Sequence, residues 1–275
     1  MIFAWGVNED HQLGFDNPAD VHRPKVVDAM LGVRLAGRGF LSRPIVCGSR
    51  NNVAIDSAGQ VYTFGWNYRG TLGQGHRDLE RKPRRIHSLA QARVRIIQAA
   101  IGGWHCLALS ESGKLYAWGG NEYQQCGLDS KERDITTPVH VLPDMRFRQV
   151  AAGGMHSVAI TLDHEVYTWG EPWGDFQLNP TRRPRRVVGA TEVIKVACGA
   201  FHNLALTADG VVLAWGTNDY GQLGSGDTSY SGDARPVVGM EGEHVIDIAC
   251  GGWHSACITE KGEVGLGTGT RVRGG

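Results

Sequence analysis

The chain has 275 residues, of which 41% are hydrophobic and 20% charged, a composition typical of a folded globular protein and not of a disordered one. Its 28 basic and 28 acidic residues cancel, so no overall field would draw it to nucleic acid or to an anionic membrane. Glycine is the exception: its 39 residues predict many turns.

The N-terminal segment, MIFAWGVNED, has neither the basic region nor the apolar core of a signal peptide. No apolar run along the chain approaches the ~18 residues that a membrane span needs. We therefore predict a cytoplasmic or nuclear protein that makes no membrane contact.

Three landmarks recur in the same order along the chain, which indicates an internal repeat. They are a Trp-Gly pair (once Phe-Gly), a proline, and a glycine followed three positions later by histidine. The landmark residues are Trp5, Phe64, Trp118, Trp169 and Trp215; Pro24, Pro83, Pro138, Pro184 and Pro236; and His105, His156, His202 and His254, with Asn51 in the histidine position of the first copy. The recurrence predicts a single domain over 1–275 with approximate repeats 1–46, 47–100, 101–150, 151–196 and 197–248, and a partial repeat at 249–275.

The copy at 194–224, IKVACGAFHNLALTADGVVLAWGTNDYGQLG, shows how one repeat is built. IKVAC, NLALT and VVLAW have the composition and alternation of strands, and the ADG between the last two is a hairpin turn whose glycine can take positive φ. The segment after each proline is a fourth strand, which must lie at an outer edge because proline cannot donate to a ladder. Four such strands repeated around an axis predict an all-β propeller of about five four-stranded antiparallel blades.

The repeated histidine is interpreted as structural, because a single catalytic histidine would occur once. We expect it to hydrogen-bond backbone in a turn or between blades. Cys47, Cys198 and Cys250 precede the repeated glycine, where we expect small buried side chains, and no C-x-x-C pair gives the usual zinc spacing. No phosphate loop, nucleophile elbow or metalloprotease motif occurs. We predict no catalytic residue, no metal site and no cofactor.

The stretch ACGAFHNLALTADGVVLAWGTNDYGQLG resembles the repeat of the regulator of chromosome condensation family, in the style of plant and algal members, and the resemblance covers nearly the whole chain. It implies a propeller, normally of seven blades, in a family that includes an exchange factor for the Ran GTPase and the plant UV-B photoreceptor. That receptor's repeats carry Gly-Trp-Arg-His, whereas this chain has Gly-Gly-Trp-His, which moves the indole by one residue and lacks the arginine. Light sensing is therefore the least favoured hypothesis.

Five copies fall short of the family's seven, which leaves two alternatives. Half-blades at the two termini pair and close a five-membered ring, or the ring is incomplete. After Val264 the sequence continues as GLGTGTRVRGG and lacks the Trp-Gly pair expected in this strand. This favours a truncated product.

The fourth copy departs from the pattern, with WGEPWGDFQL in place of WGxN and His164 in place of the turn glycine. Idiosyncratic loops on a rigid scaffold are where binding residues collect, so Glu171, Trp173 and Asp175 are candidates for partner binding. The alternative is a shortened blade in which Trp173 packs on its neighbour.

Two further sets of side chains are candidates for partner contacts. The residues before the repeated histidines are expected in one ring, as interblade packing or as an aromatic binding face: Trp104, Met155, Phe201 and Trp253. Two proline segments are basic and predict a rim for an acidic partner or phosphates, or edges protected against aggregation: Arg81, Lys82, Arg84 and Arg85, and Arg182, Arg183, Arg185 and Arg186.

The leading hypothesis is a non-enzymatic propeller that acts as a scaffold or regulator by binding a protein. The alternative is a guanine-nucleotide exchange factor for a small Ran-like GTPase. Zero net charge disfavours nucleic acid or chromatin as the partner without excluding it.

Overall fold

The computed structural model describes residues 1–37, 43–170, 183–266 and 270–272, which form six antiparallel sheets. The chain divides into two compact units with three sheets each. Unit 1 is Met1–Glu122 with Ser130–Met145, and unit 2 is Tyr123–Asp129 with Arg146–Gly275. No helix among the described residues is long and apolar enough to cross a membrane.

Unit 1 contains a two-stranded sheet, β1-β2, and two four-stranded sheets with the orders β3-β4-β5-β6 and β7-β8-β9-β10. A 3-10 turn, Asp28–Met30, follows the second strand, and a short helix α1, His87–Gln91, follows the sixth. The strands are β1 (Phe3–Gly6), β2 (Val21–Val26), β3 (Ile45–Cys47), β4 (Asn51–Ile55), β5 (Val61–Gly65), β6 (Glu80–Arg85), β7 (Ile96–Ile101), β8 (His105–Ser110), β9 (Leu115–Gly120) and β10 (Asp134–Val141).

Unit 2 contains three four-stranded sheets in which sequence neighbours pair, β11 to β14, β15 to β18 and β19 to β22. The strands are β11 (Phe147–Ala152), β12 (Ser157–Thr161), β13 (Val166–Trp169), β14 (Arg185–Arg186), β15 (Val193–Cys198), β16 (His202–Thr207), β17 (Val212–Gly216), β18 (Ser231–Pro236), β19 (Val245–Cys250), β20 (Ser255–Thr259), β21 (Val264–Leu266) and β22 (Thr270–Val272).

The proline strands lie at the outer edges of their sheets, as the sequence predicts. Pro83, Pro138 and Pro236 lie in β6, β10 and β18, the last strand of each sheet. An edge strand needs hydrogen bonds on one side only, so the missing N–H leaves no gap in the ladder.

The turn between the second and third strands also follows the prediction. Its glycine has positive φ in four sheets, at Gly59, Gly113, Gly210 and Gly262. In the fourth copy His164 occupies the same position with φ of 64°, a conformation that favours glycine.

Burial is greatest in the second strand of each central sheet. β8 and β16 are buried along their whole length. In unit 2 one apolar cluster joins the β11–β14 and β15–β18 sheets and another joins β15–β18 to β19–β22. The outer strands β2 and β6 are mostly exposed.

Two details differ from expectation. The last sheet is four-stranded, because Val264 pairs with Ile258 and with Val272 although the Trp-Gly signature is lost. A ladder uses backbone groups and does not need that signature. Cys47, at the end of β3, is exposed and not buried as expected.

Candidate functional site

The candidate site lies at one edge of the sheets. Strands alternate in direction, so the loop after the first strand of a sheet and the loop after its third strand lie at the same edge, here called the loop edge. The first loop carries the Gly-x-x-His motif and the second carries the segment after Trp-Gly.

Buried histidines join neighbouring sheets at the loop edge of unit 2. His156 Nε2 lies 2.7 Å from Asn203 Oδ1 in the next sheet, and His202 Nε2 lies 2.9 Å from Ser255 Oγ in the sheet after it. These contacts confirm the interpretation of both histidines as links between blades, through side-chain partners in each case.

Sequence reasoning missed the residue that follows the histidine position. In four copies its side chain donates a hydrogen bond to a carbonyl in the preceding loop edge. The donor and acceptor pairs are Asn52 and Gln12 (2.6 Å), Cys106 and Thr71 (3.2 Å), Ser157 and Gln125 (2.7 Å), and Ser255 and Gln222 (2.7 Å). The signal was present in the sequence, because this position always carries a small side chain with a donor.

An aromatic and cationic cluster occupies the loop edge of unit 1. The rings of Trp66 and Trp104 meet edge to face, with centroids 5.5 Å apart, and Tyr68 stacks on Trp66 at 5.8 Å. The guanidinium of Arg50 lies 5.9 Å from the Trp66 ring, and that of Arg69 lies 5.9 Å from the Trp104 ring. We call these five residues the unit 1 cluster.

Acidic side chains hold both arginines of the unit 1 cluster in place. Asp10 lies 2.6 Å from Arg50, and Arg69 lies 3.2 Å from Glu122 and 3.1 Å from Asp134. The sequence analysis found no arginine next to the indoles. The structure corrects this, because arginines from other sequence positions fold over the rings.

A second cluster occupies the loop edge of unit 2. The ring of Trp253 lies 4.7 Å from that of Phe201 and 5.5 Å from that of Tyr220. Tyr220 is 68% exposed and Trp253 47% exposed, so both remain accessible to a partner. We call Phe201, Tyr220 and Trp253 the unit 2 cluster. Met155 is half-buried in a neighbouring loop of the same unit.

Within each unit, residues of the predicted ring pack against aromatic side chains from other loops and remain partly exposed to solvent. These residues are Trp104 in unit 1 and Phe201 and Trp253 in unit 2. Whether Trp104, Met155, Phe201 and Trp253 form one ring stays a prediction. Glu171, Trp173, Asp175 and Arg182 lie outside the described residues, and their roles stay predictions.

The predicted basic rim carries several ion pairs. Lys82 lies 2.5 Å from Asp16 and Arg84 lies 2.6 Å from Glu80, whereas Arg81 and Arg85 are exposed. In unit 2 the pairs are Arg183 with Asp129 (3.1 Å) and Arg186 with Glu165 (3.3 Å), and Arg185 donates to the Gly232 carbonyl (3.0 Å).

The described residues contain no group of three or more histidine, cysteine or acidic side chains placed to hold a metal ion. Burial raises the pKa of Cys250 to about 12, so its thiol is protonated at neutral pH and unsuited to nucleophilic attack.

Comparison with known proteins identifies the architecture. The family model of the RCC1-like domain matches residues 1–271. The E3 ubiquitin-protein ligase HERC2 of Homo sapiens is 34% identical over 269 residues, which cover 94% of this chain and 5% of that protein. The ultraviolet-B receptor UVR8 of Arabidopsis thaliana is 30% identical over 272 residues, which cover 96% of this chain and 59% of the receptor.

Solved structures agree on the fold. Human WBSCR16 superposes with a TM-score of 0.76 at 27% identity, over 90% of this chain and 65% of that one. Prp20p from Saccharomyces cerevisiae superposes with a TM-score of 0.79 at 24% identity, over 96% of this chain and 65% of that one. The chain thus spans less than two thirds of each of these relatives. The all-β propeller class predicted from the sequence is confirmed, with five four-stranded sheets and one two-stranded sheet.

Proposed function

The chain belongs to the RCC1-like domain family, and we propose that it is a non-enzymatic propeller that scaffolds or regulates by binding a protein partner through its loop edges. The observation that carries this proposal is the pair of aromatic clusters there. Tryptophan, tyrosine and arginine dominate binding energy at protein interfaces, and both clusters consist of such residues apart from Phe201.

The packing of each cluster supports this role. Trp253 touches two other rings, so its position is fixed before a partner arrives and little side-chain entropy is lost on binding.

A double substitution tests the unit 2 cluster. We expect Tyr220→Ala with Trp253→Ala to weaken partner binding by at least tenfold, since central aromatic anchors each contribute roughly 2 kcal/mol. The measurement is affinity purification with mass spectrometry, followed by titration of the recovered partner. Val238→Ala is the matched control, because Val238 is 59% exposed and lies outside the cluster. Equal recovery from the double variant and the control would remove the cluster from the interface.

Small GTPases are the first class of partner to test, because Prp20p, which shares this fold, has binding properties to Gsp1p and histones. An exchange factor stabilises the nucleotide-free GTPase, which requires a binding face and no catalytic group. The test is release of labelled GDP from Ran and related GTPases. Release at the background rate would reject this function and leave other protein partners open.

One contact supports a light-sensing role as a second candidate. Trp66 and Trp104 lie 5.5 Å apart between two arginines, and UVR8 is named an ultraviolet-B receptor. Gel filtration before and after UV-B irradiation tests it. An unchanged oligomeric mass would reject light sensing without affecting the binding proposal.

The remaining sequence predictions stand as part of the proposal. They are the cytoplasmic or nuclear location, the single domain over 1–275, and the fourth-copy residues Glu171, Trp173 and Asp175 as partner contacts. A Trp173→Ala, Asp175→Ala variant in the same purification experiment tests the last of these.

A further inference from the structure

The outer strands β2 and β6 form a surface of unit 1 that the proposed function does not use. Each is the outermost strand of its sheet. Together they carry six exposed cationic side chains, which we call the basic strip: Arg23 and Lys25 on β2, and Arg81, Lys82, Arg84 and Arg85 on β6.

Two consecutive loop residues join the two rows of the basic strip. The Lys25 ammonium lies 4.6 Å from the centroid of the Phe15 ring, and the Lys82 ammonium lies 2.5 Å from Asp16 Oδ2. Because Phe15 and Asp16 are neighbours in the chain, Lys25 of β2 and Lys82 of β6 end on one patch.

Carboxylates offset only part of this charge. The two pairs within the strip are Lys82 with Asp16 and Arg84 with Glu80. The other four cations make no ion pair within 4.0 Å among the described residues. Asp20 and Asp28 lie beyond the ends of β2, so they leave its centre basic.

The backbone of the strip is also open to a ligand. Ile86 donates to the Val61 carbonyl at 2.8 Å, so the N–H and C=O of the preceding Arg85 point away from the sheet. Pro83 has no N–H to offer, and Pro24 interrupts β2 in the same way. The free edge of β6 can therefore pair with a short extended segment, but it cannot form a long hydrogen-bonded ladder.

The geometry points to an acidic peptide segment, bound in extended form along β6, as the ligand of the basic strip. Guanidinium groups bind carboxylates through paired, charge-assisted hydrogen bonds, and an open strand edge supplies backbone donors to a peptide. A nucleic acid fits less well, because the strip also contains the carboxylates of Asp16 and Glu80.

The binding test uses a fluorescein-labelled (Glu-Ser)4 peptide, whose alternation places all carboxylates on one face of a strand. We expect its fluorescence anisotropy to rise on titration with the full chain at low salt, and a (Gln-Ser)4 peptide to give no rise. Arg81→Gln with Arg85→Gln should weaken binding about tenfold, since each removes one charge-assisted contact.

A gain of binding sharpens the test. Asp16→Asn removes the carboxylate that competes for Lys82, so the peptide should bind about two- to threefold more tightly. The matched control is Arg93→Gln with Lys131→Gln, which removes the same charge from two exposed residues of unit 1 outside the strip and should leave the affinity unchanged.

Three outcomes would overturn the inference. The first is that (Glu-Ser)4 does not bind the wild type. The second is that the control variant loses as much affinity for the peptide as the strip variant does. The third is that a single-stranded oligothymidylate binds more tightly than the peptide and that the strip variant abolishes this binding. Matching thermal unfolding of all variants shows that they are folded. Because Tyr220 and Trp253 lie in unit 2, their variant should bind the peptide normally, so this inference can fail or hold independently of the proposed function.

Discussion

His202 shows how a repeated residue performs a structural task between two sheets. Ser255 Oγ donates to the Gln222 carbonyl at 2.7 Å, so it must accept from His202 Nε2–H. The imidazole therefore carries a proton on Nε2. Burial, together with the smaller effect of the nearby His156 and His254, lowers the pKa of His202 to about 4.

The lowered pKa makes stability depend on pH in a defined window. In the unfolded chain His202 takes up its proton near pH 6.5, whereas in the folded protein it does so only near pH 4, so protons favour unfolding between these values. We expect this group to have no effect on the pH dependence of stability above pH 7, and to reduce the free energy of unfolding by up to about 3 kcal/mol as the pH falls from 6.5 to 4.

His202→Asn tests this expectation, because Asn51 occupies the same position in the first copy. The variant should be less stable by about 1–2 kcal/mol at pH 7.5 but should lose less stability on acidification than the wild type. Urea unfolding at pH 7.5 and 4.5 gives both values. The control is His22→Asn on exposed β2, and identical pH profiles for His202→Asn and wild type would contradict the assignment.

At the scale of the element, the tight turn between the second and third strands has two separable constraints. Gly59 has φ of 77°, and a Cβ there would lie 2.9 Å from the Ile96 nitrogen of the next sheet. Gly262 has nearly the same φ of 79°, but a Cβ there would meet nothing within 4 Å. One glycine is needed for its conformation and for a close approach, the other for its conformation alone.

Alanine at these two positions should therefore have unequal effects. We expect Gly262→Ala to lower the free energy of unfolding by about 1 kcal/mol through backbone strain, and Gly59→Ala by about 3 kcal/mol because the Ile96 backbone must also move. Urea denaturation followed by circular dichroism measures both. Equal losses would mean that the neighbouring sheet gives way without resistance.

At the scale of the whole molecule, the repeat was sufficient to predict the fold because its landmarks recur in register with the strands. Pro83 and Gly262 each determine a local conformation that does not depend on a neighbouring sheet. The clusters were only half predicted. Trp104 and Trp253 stand beside a landmark, but Trp66 and Tyr220 lie in a different loop, and only folding brings the two loops together.

The burial of the repeated tryptophan depends on the sheet that precedes it. The indole nitrogens of Trp118 and Trp169 each donate at 2.9 Å to a carbonyl of the preceding loop edge, and both rings are fully buried. Trp5 occupies the same place in the first sheet, where β1 pairs only with β2 among the described strands, and it is 60% exposed. The same residue type is thus a core side chain in one sheet and a surface side chain in another.

Tryptophan fluorescence can read this difference in solution. Trp5→Phe should lower the acrylamide quenching constant and shift the emission to shorter wavelength, because it removes an exposed indole. Trp169→Phe should act in the opposite direction, since it removes a buried indole at a position where Phe64 shows that phenylalanine fits. If Trp5→Phe left the quenching constant unchanged, Trp5 would be covered in solution. The face of β1 that carries Trp5 would then have to pack against another sheet, as the corresponding faces of β9 and β13 do.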